Sequence, residues 1–344
     1  MTHAGRSHSS AYQAPGVSSP SVTPAVEARG LRKTFGTNRA VDGIDLTVME
    51  GEIFGVLGPN GAGKTVTLNM LATLLPIDGG EARIFGYDVR SEGHAVRQLI
   101  GVTGQYASVD ENLTARENLW LFGRLQGLSS KKAHSTGDDL LAKFDLTEAA
   151  SRPISQFSGG MRRRLDLAAS LITRPALIFL DEPTTGLDPR TRGQMWDTIR
   201  DLVAEGSTIL LTTQYLDEAD ALADRIIVID HGRKIAEGTS AELKAKIGTS
   251  SLRVQLVEGA DTAKATALAA DLTRETPILA ATGSGFSVML TDANQAADIL
   301  IALRDHRFDI TNATVEQPSL DDVFMALTGR PGETPVPESE ASDS

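Results

Sequence analysis

The chain contains no cysteine among its 344 residues, which excludes disulfides, thiolate catalysis and cysteine-based metal sites and favours a reducing compartment. It also lacks any run approaching the roughly 18 apolar residues that a membrane-spanning helix requires. Basic residues are outnumbered, 33 against 45 acidic ones, and the net charge of −12 argues against a nucleic-acid-binding surface. The length is sufficient for a large core and two domains.

Both ends of the chain have compositions that cannot bury a core. Residues 1–26 are rich in Ser and Pro and have no apolar segment of the secretory kind, so they are predicted to be a disordered tail. Residues 329–344 are rich in Pro and acidic side chains and are predicted to be a second disordered tail. The folded part is therefore expected to span 27–328.

Between the tails, apolar runs of strand length alternate with helical patterns. IFGVL, ALIFL and STILLTT indicate strands that are buried on both faces of a parallel sheet. VTLNMLATLL predicts a helix that continues as far as Pro76, and residues from about 107 to 170 are predicted to be mostly helical. RIIVIDHGRKIAEG predicts two strands joined by a turn. This alternation predicts an α/β fold with a parallel sheet and a helical subdomain.

The composition shifts near Gly248, and shorter strands and Ala-rich helices follow. Residues 249–328 are therefore predicted to form a small C-terminal α+β domain, accessory to a domain over 27–248. It ends in PSLDDVFMALTG, where Pro318 and Ser319 precede an amphipathic helix.

A glycine-rich stretch joins the IFGVL strand to the next helix and fits the pattern G-x-x-x-x-G-K-[ST]. Its glycines allow backbone N–H groups to point at phosphate oxygens, and the helix N-terminus adds positive potential there. The lysine supplies a point charge and the threonine hydroxyl suits Mg²⁺. This predicts a P-loop nucleoside triphosphatase, with the phosphates held by Gly58, Pro59, Asn60, Gly61, Ala62, Gly63, Lys64 and Thr65.

Two carboxylates follow the ALIFL strand, at the edge where open α/β sheets bind ligands. Asp181 can hold Mg²⁺ through water, and Glu182 can polarise the attacking water. An Asp-Glu pair after a strand is in isolation more often a turn, and the glycine-rich loop is what favours the catalytic interpretation.

The stretch FSGGM at 157–161 opens a helix, and taken alone it is a plain helix cap. The order of the glycine-rich loop, SGG, DEPTTGLD and a strand ending in TT nevertheless resembles the ATP-binding cassette family from about Glu27 to Gly248. TTQYLDEAD, SGGMRRRLDLA and the closing PSLDDVFMALTG resemble its daunorubicin/doxorubicin-resistance subfamily.

This resemblance implies further site residues. Phe35, which alone would more often be a core residue, resembles the aromatic that stacks on adenine. Gln105 resembles the glutamine that reaches Mg²⁺ and links the site to the transport partner. Gln214 stands where most relatives carry His; it can contact phosphate but cannot carry a proton. Ser158, Gly159 and Gly160 resemble the motif that caps the ATP bound to the opposite subunit. Gly186 to Asp188 resemble the loop that crosses the dimer interface.

The resemblance also implies an activity and partners. Two copies would sandwich ATP and Mg²⁺ and would power a separate multi-span membrane permease that exports a drug, antibiotic or lipid-like compound. The chain would then lie at the cytoplasmic face of the membrane, with no nucleic-acid partner. An importer subunit and a soluble cassette ATPase that acts on ribosomes or DNA are the alternatives. One P-loop and no sustained heptads argue against the second alternative.

Overall fold

The computed structural model describes residues 24–103, 109–246, 250–280, 283–292, 294–316 and 319–329. Most of the two predicted tails and Gln105 therefore lie outside the described residues. The first strand begins at Pro24, so it includes the last three residues that were assigned to the N-terminal tail.

The described residues form strands and helices that alternate along most of the chain. The strands are β1 (Pro24–Phe35), β2 (Asn38–Met49), β3 (Ile53–Leu57), β4 (Gly79–Ile84), β5 (Tyr87–Asp88), β6 (Ile100–Thr103), β7 (Leu177–Asp181), β8 (Thr208–Thr213), β9 (Arg225–Asp230), β10 (Arg233–Gly238), β11 (Ser250–Leu256), β12 (Ile278–Leu279), β13 (Gly285–Leu290) and β14 (Ile310–Glu316). The helices are α1 (Lys64–Leu71), α2 (Gly93–Leu99), α3 (Ala115–Leu125), α4 (Ser130–Lys143), α5 (Gly159–Ser170), α6 (Pro189–Ala204), α7 (Leu216–Leu222), α8 (Ser240–Ala245), α9 (Thr262–Thr273), α10 (Asn294–Asp305) and α11 (Leu320–Thr328).

The central sheet has six strands in the order β10-β9-β3-β8-β7-β6, and only the edge strand β10 is antiparallel to its neighbour. β3, β7 and β8 are buried along their whole length, which confirms the prediction from the continuous apolar runs. Leu57 lies beside Thr213, and Asp181 lies beside Thr212. The carboxyl ends of three neighbouring strands therefore meet at one edge of the sheet.

Each face of the central sheet is covered by a different layer. On one face α1 lies between the central sheet and an antiparallel sheet of order β2-β1-β4-β5, and Leu68, Met70 and Leu71 are fully buried there. On the other face pack α3, α4 and α5, which lie in the region predicted to be helical, together with the later helix α6. The loop before α1 is thereby held between two sheets.

The end of α1 differs from the sequence expectation. The helix stops at Leu71, not near Pro76, because Thr73 takes a left-handed conformation with φ 63°. The amides of Leu74 and Leu75 then both donate to the Asn69 carbonyl. No helix among the described ranges is both long and apolar enough to cross a bilayer.

A third, antiparallel sheet of order β12-β13-β11-β14 follows in the C-terminal part, with α9 and α10 packed on it around a separate core. The last helix leaves this core. Leu320, Val323 and Phe324 of α11 pack against Leu216 of α7 and Leu243 of α8. α11 therefore connects the C-terminal part to the helix that follows Gln214.

Candidate nucleotide-binding site

The loop between β3 and α1 requires glycine at two positions. A Cβ atom on Gly58 would lie 2.3 Å from the Ile229 carbonyl oxygen, and one on Gly63 would lie 2.3 Å from the Ala40 carbonyl oxygen. Gly63 also has φ +101°, a conformation that other residues rarely adopt. The glycine spacing therefore reflects close backbone approaches that shape the loop.

Lys64, the first residue of α1, folds back over this loop. Its ammonium group donates hydrogen bonds to the carbonyl oxygens of Gly58 (2.8 Å) and Pro59 (3.2 Å). It also lies 3.3 Å from Glu182 Oε1, and the two side chains are only 4% and 9% exposed. The lysine and the glutamate thus form a nearly buried ion pair at the mouth of the loop.

Asp181 lies at the centre of a small oxygen cluster. Its Oδ1 accepts hydrogen bonds from Thr65 Oγ1 (3.0 Å) and Thr212 Oγ1 (2.5 Å), and the residue is 3% exposed. Thr65 and Asp181, which the sequence predicted separately as Mg²⁺ ligands, are thus in direct contact. Hard oxygen donors of this kind suit Mg²⁺, which prefers carboxylate and hydroxyl oxygen completed by phosphate and water.

Glu182 follows with a backbone that is unusual for a non-glycine residue, at φ 47°. Its amide donates to both the carbonyl and the hydroxyl oxygen of Thr212, each at 3.1 Å. Its Oε2 accepts from the Thr185 hydroxyl at 3.3 Å. The carboxylate is therefore directed to one place by contacts on both its backbone and its side chain.

Lys64, Thr65 and Glu182 line a cleft of about 340 Å³, whereas Asp181 is not among its lining residues. Phe35 stands at its rim with 47% of its surface exposed, and Lys33 Nζ lies 5.6 Å from the ring centroid. An exposed ring at the edge of a phosphate-binding loop is placed to stack on a flat base. The cleft is lined by Phe35, Asn38, Ala40, Asn60, Gly61, Ala62, Gly63, Lys64, Thr65, Val66 and Glu182.

The SGG stretch lies apart from this cleft. Ser158 caps α5 by accepting from the Met161 amide at 3.3 Å, and Ser158 and Gly159 are exposed. A Cβ atom on Gly160 would lie 2.8 Å from Thr191 Cγ2, so that position is sterically restricted. None of the three residues is among those that line the cleft of their own chain.

Asp188 caps α6 and accepts from the amide and the hydroxyl of Thr191. The hydroxyl hydrogen bond, followed by the amide one, lowers the pKa of the Asp188 carboxyl. Asp188 is exposed and ends the segment that begins at Gly186. Gly186 has φ +74°, a conformation that glycine adopts with less strain than other residues.

Gln214 lies directly beyond β8. The preceding carbonyl, of Thr213, accepts a hydrogen bond from the Gly58 amide at 3.3 Å, so Gln214 follows the point where β8 meets the loop. Its Oε1 is shielded from solvent and has no hydrogen-bond partner among the described residues. Gln214 is not among the residues that line the cleft.

The sequence did not indicate two charged residues near the site, the half-buried Arg163 and the buried Glu218. Arg163 of α5 contacts the backbone around Glu182. Glu218 of α7 is fully buried and accepts from Thr184 Oγ1 (2.8 Å) and Trp196 Nε1 (3.3 Å); burial raises the pKa of its carboxyl. A charged residue within a helical pattern usually faces solvent, so the sequence offered no signal for either.

Comparisons with known proteins agree with this geometry. The ABC transporter family profile matches residues 41–185, and the profile of the DrrA1-3-like ATP-binding protein C-terminal domain matches residues 238–328. The daunorubicin/doxorubicin resistance ATP-binding protein DrrA of Streptomyces peucetius is 51% identical over 93% of this chain and 97% of its own length.

More distant relatives and solved structures extend the comparison. The doxorubicin resistance ATP-binding protein DrrA of Mycobacterium tuberculosis is 43% identical over 90% of this chain and 95% of its own. A Nod factor export ATP-binding protein I of Burkholderia lata is 39% identical over 89% and 97%. A solved ATP-binding subunit of an ABC transporter superposes with a TM-score of 0.59 at 26% identity, over 64% of this chain and 92% of that one. A dimeric cassette bound to ADP and phosphate superposes with 0.58 at 25% identity, over 62% and 98%.

Proposed function

This chain belongs to the ATP-binding cassette transporter family, with the DrrA-like resistance proteins as relatives, and from that premise we propose that it powers export through a separate membrane permease. Its activity is ATP hydrolysis. The observation that supports this most directly is that two contacts, Lys64 with Glu182 and Thr65 with Asp181, lie at the same sheet edge. These are the residue types that bind a triphosphate and activate water.

We assign the binding roles from the side chains that line the cleft. Backbone amides of Gly61 to Thr65 face the phosphates, and the Phe35 ring stacks on the base. Thr65 and Asp181 would hold Mg²⁺, which when bound neutralises charge on the phosphate oxygens. Because Lys64 donates to two loop carbonyls in this structure, binding of phosphate requires it to exchange those contacts for phosphate oxygens.

Glu182 is assigned to orient and polarise the attacking water. Its carboxylate is nearly buried and borders the cleft, while the pairing with Lys64 occupies one of its oxygens. Movement of Lys64 toward phosphate frees that oxygen to accept a proton from water. Gln214 can then donate from its amide to phosphate but cannot exchange protons.

We further propose that the working form is a dimer with ATP at the interface. The exposure of Ser158 and Gly159, away from their own cleft, supports this arrangement. Ser158 lies at the N-terminus of a twelve-residue helix, where orphan amides and the helix dipole favour an anion. A phosphate group bound in the cleft of a second copy would accept hydrogen bonds from these amides and would lie at the positive end of the helix dipole.

The permease is proposed to dock in a groove beside the helical region. This groove, of about 640 Å³, is lined on one side by the segment after α1, by α2 and by β6, and on the other by α3, α5 and the turn after α5. Leu74 at its edge is 59% exposed, and Phe122 is only partly buried. Its lining mixes apolar side chains such as Phe122 and Ile172 with polar and charged ones such as Arg97 and Gln98, and a short amphipathic helix of a partner protein fits a surface of that kind. Docking there would hold the chain at the cytoplasmic face of the membrane.

Export of a drug, antibiotic or lipid-like compound is proposed because the relatives are named for resistance to daunorubicin and doxorubicin and for Nod factor export. The cleft described here fits a nucleotide. Cargo recognition is therefore assigned to the permease.

The test is Glu182→Gln, which keeps the shape of the side chain and removes its ability to take a proton. We expect retained ATP binding, a loss of turnover of about 10²-fold or more, and an ATP-dependent dimer in size-exclusion chromatography. Glu205→Gln is the matched control, since Glu205 is exposed and pairs only with Lys143 on the surface among the described contacts. Normal turnover by Glu182→Gln would contradict the assignment.

A further inference from the structure

Arg163, on the helix that opens with Ser158, donates hydrogen bonds to the backbone that carries Glu182. Arg163 Nη2 donates to the carbonyl oxygens of Asp181 (2.6 Å) and Glu182 (3.1 Å), and its Nε donates to that of Pro183 (3.1 Å). One guanidinium thus binds three consecutive peptide carbonyls. The side chain is 14% exposed.

This contact lies where the backbone needs external support. Glu182 has φ 47°, a left-handed conformation that is unfavourable for a residue with a side chain. Such a conformation persists only when surrounding contacts hold it. The rigid, planar donor fork of Arg163 fixes the peptide planes on both sides of the Glu182 Cα, and thereby the direction of its carboxylate.

The charge of Arg163 is compensated locally. Burial lowers the pKa of its guanidinium, whereas the nearby carboxylates of Asp166, Asp181, Glu218 and Glu182 raise it. Arg163 Nη1 lies 3.8 Å from Asp166 Oδ2 on the next turn of the same helix. The surrounding acidic groups favour a positively charged side chain at this place. A neutral side chain could not donate to the same three carbonyls.

We propose that Arg163 is a positioning residue for ATP hydrolysis, which holds the loop after β7 so that Glu182 points at the attacking water. The proposal rests on the proposed function, because it assumes that Glu182 polarises that water. Misplacing a catalytic group by about 1 Å lowers the rate by about 10²-fold. Loss of Arg163 should therefore act on turnover and leave nucleotide binding nearly unchanged.

Arg163→Gln and Arg163→Lys test this in the full chain, with ATP turnover measured against ATP concentration. We expect Arg163→Gln to lower kcat by about 10- to 100-fold with KM changed by less than about 3-fold. Arg163→Lys should recover part of kcat, since an ammonium can reach some of the carbonyls. Arg164→Gln is the control, because Arg164 on the same helix donates to the Phe144 carbonyl and not to the β7 loop.

A double variant separates positioning from a general structural role. In the Glu182→Gln background, Arg163→Gln should cause less than about 2-fold further loss, because both changes affect the same step. A further loss as large as in the wild-type background would overturn the proposal, and so would equal effects of Arg163→Gln and Arg164→Gln. If Arg163→Gln does not fold, kcat and KM of Arg163→Lys decide: an unchanged kcat overturns the proposal, and a reduced kcat at constant KM supports it.

The role of Glu182 and the role of Arg163 are contradicted by different results. Normal turnover by Glu182→Gln would remove the role of Glu182 and the present proposal with it. An inactive Glu182→Gln together with a fully active Arg163→Gln would overturn only the role of Arg163.

Discussion

The contact between Lys64 and Glu182 leads to a prediction about the nucleotide-free protein. Lys64→Met removes an ammonium that donates to two carbonyl oxygens and lies 3.3 Å from a carboxylate in a nearly buried site. The methionine fills a similar volume but leaves Glu182 without its cation. We therefore expect the variant to be less stable even where no ATP is present.

The size of this effect can be estimated from the burial of the pair. Breaking a buried ion pair by removing one partner costs about 3–5 kcal/mol. The Glu182 side chain is still 9% exposed and keeps its hydrogen bond from Thr185, which points to the lower part of that range or somewhat below it. About 2–3 kcal/mol corresponds to a fall in the melting temperature of about 4–12 °C for a domain of this size.

The second half of the prediction concerns rescue. Glu182→Gln removes the uncompensated charge, so the double variant should recover at least half of the stability that Lys64→Met loses. Thermal unfolding of the wild type, both single variants and the double variant, without nucleotide, completes the cycle. If the effects of the two substitutions simply add, the ion pair does not stabilise the empty site and the reasoning is refuted.

Two further predictions concern the segment that follows β8. Gln214→His should keep or raise ATP turnover, because an imidazole can contact phosphate and also carry a proton; an inactive variant would mean that the site depends on the amide. Because burial raises the pKa of Glu218 in the folded state, its contribution to stability is present below the unfolded pKa and is lost as pH rises. Glu218→Gln keeps an acceptor for Thr184 and Trp196, so its stability relative to wild type should rise from acidic to alkaline pH in urea denaturation. A difference that is independent of pH would contradict this.

The sequence was most informative where backbone geometry restricts the residue type. Gly58 and Gly63 are recognisable because a side chain at either position would collide with a neighbouring carbonyl oxygen. Asp181 is recognisable because it ends a strand that is buried along its whole length. Motifs of this kind predicted the P-loop and the parallel sheet, and the structure confirms both.

Other features depend on contacts between distant residues. β1 and β2 contain several register shifts, so they show no clean alternation of apolar and polar residues. Three consecutive arginines in α5 look alike in sequence, but only Arg163 binds the β7 loop, while Arg162 pairs with Glu111 at the surface. Which arginine points inward is decided by the rotation of the helix, and that is fixed by packing.

The position of α11 shows that the C-terminal part and the nucleotide site share a core. Leu320 and Phe324 are 3% and 5% exposed because they lie in one cluster with Leu216 of α7 and with Leu57, which ends the strand before the phosphate loop. Burying each such side chain contributes about 1.5–3 kcal/mol. Deleting the C-terminal part would therefore uncover the helix next to Gln214 as well as remove a domain. An ATPase defect after such a truncation could arise from this exposed face alone, so substitutions within the β11–β14 sheet are the sharper way to assign its role.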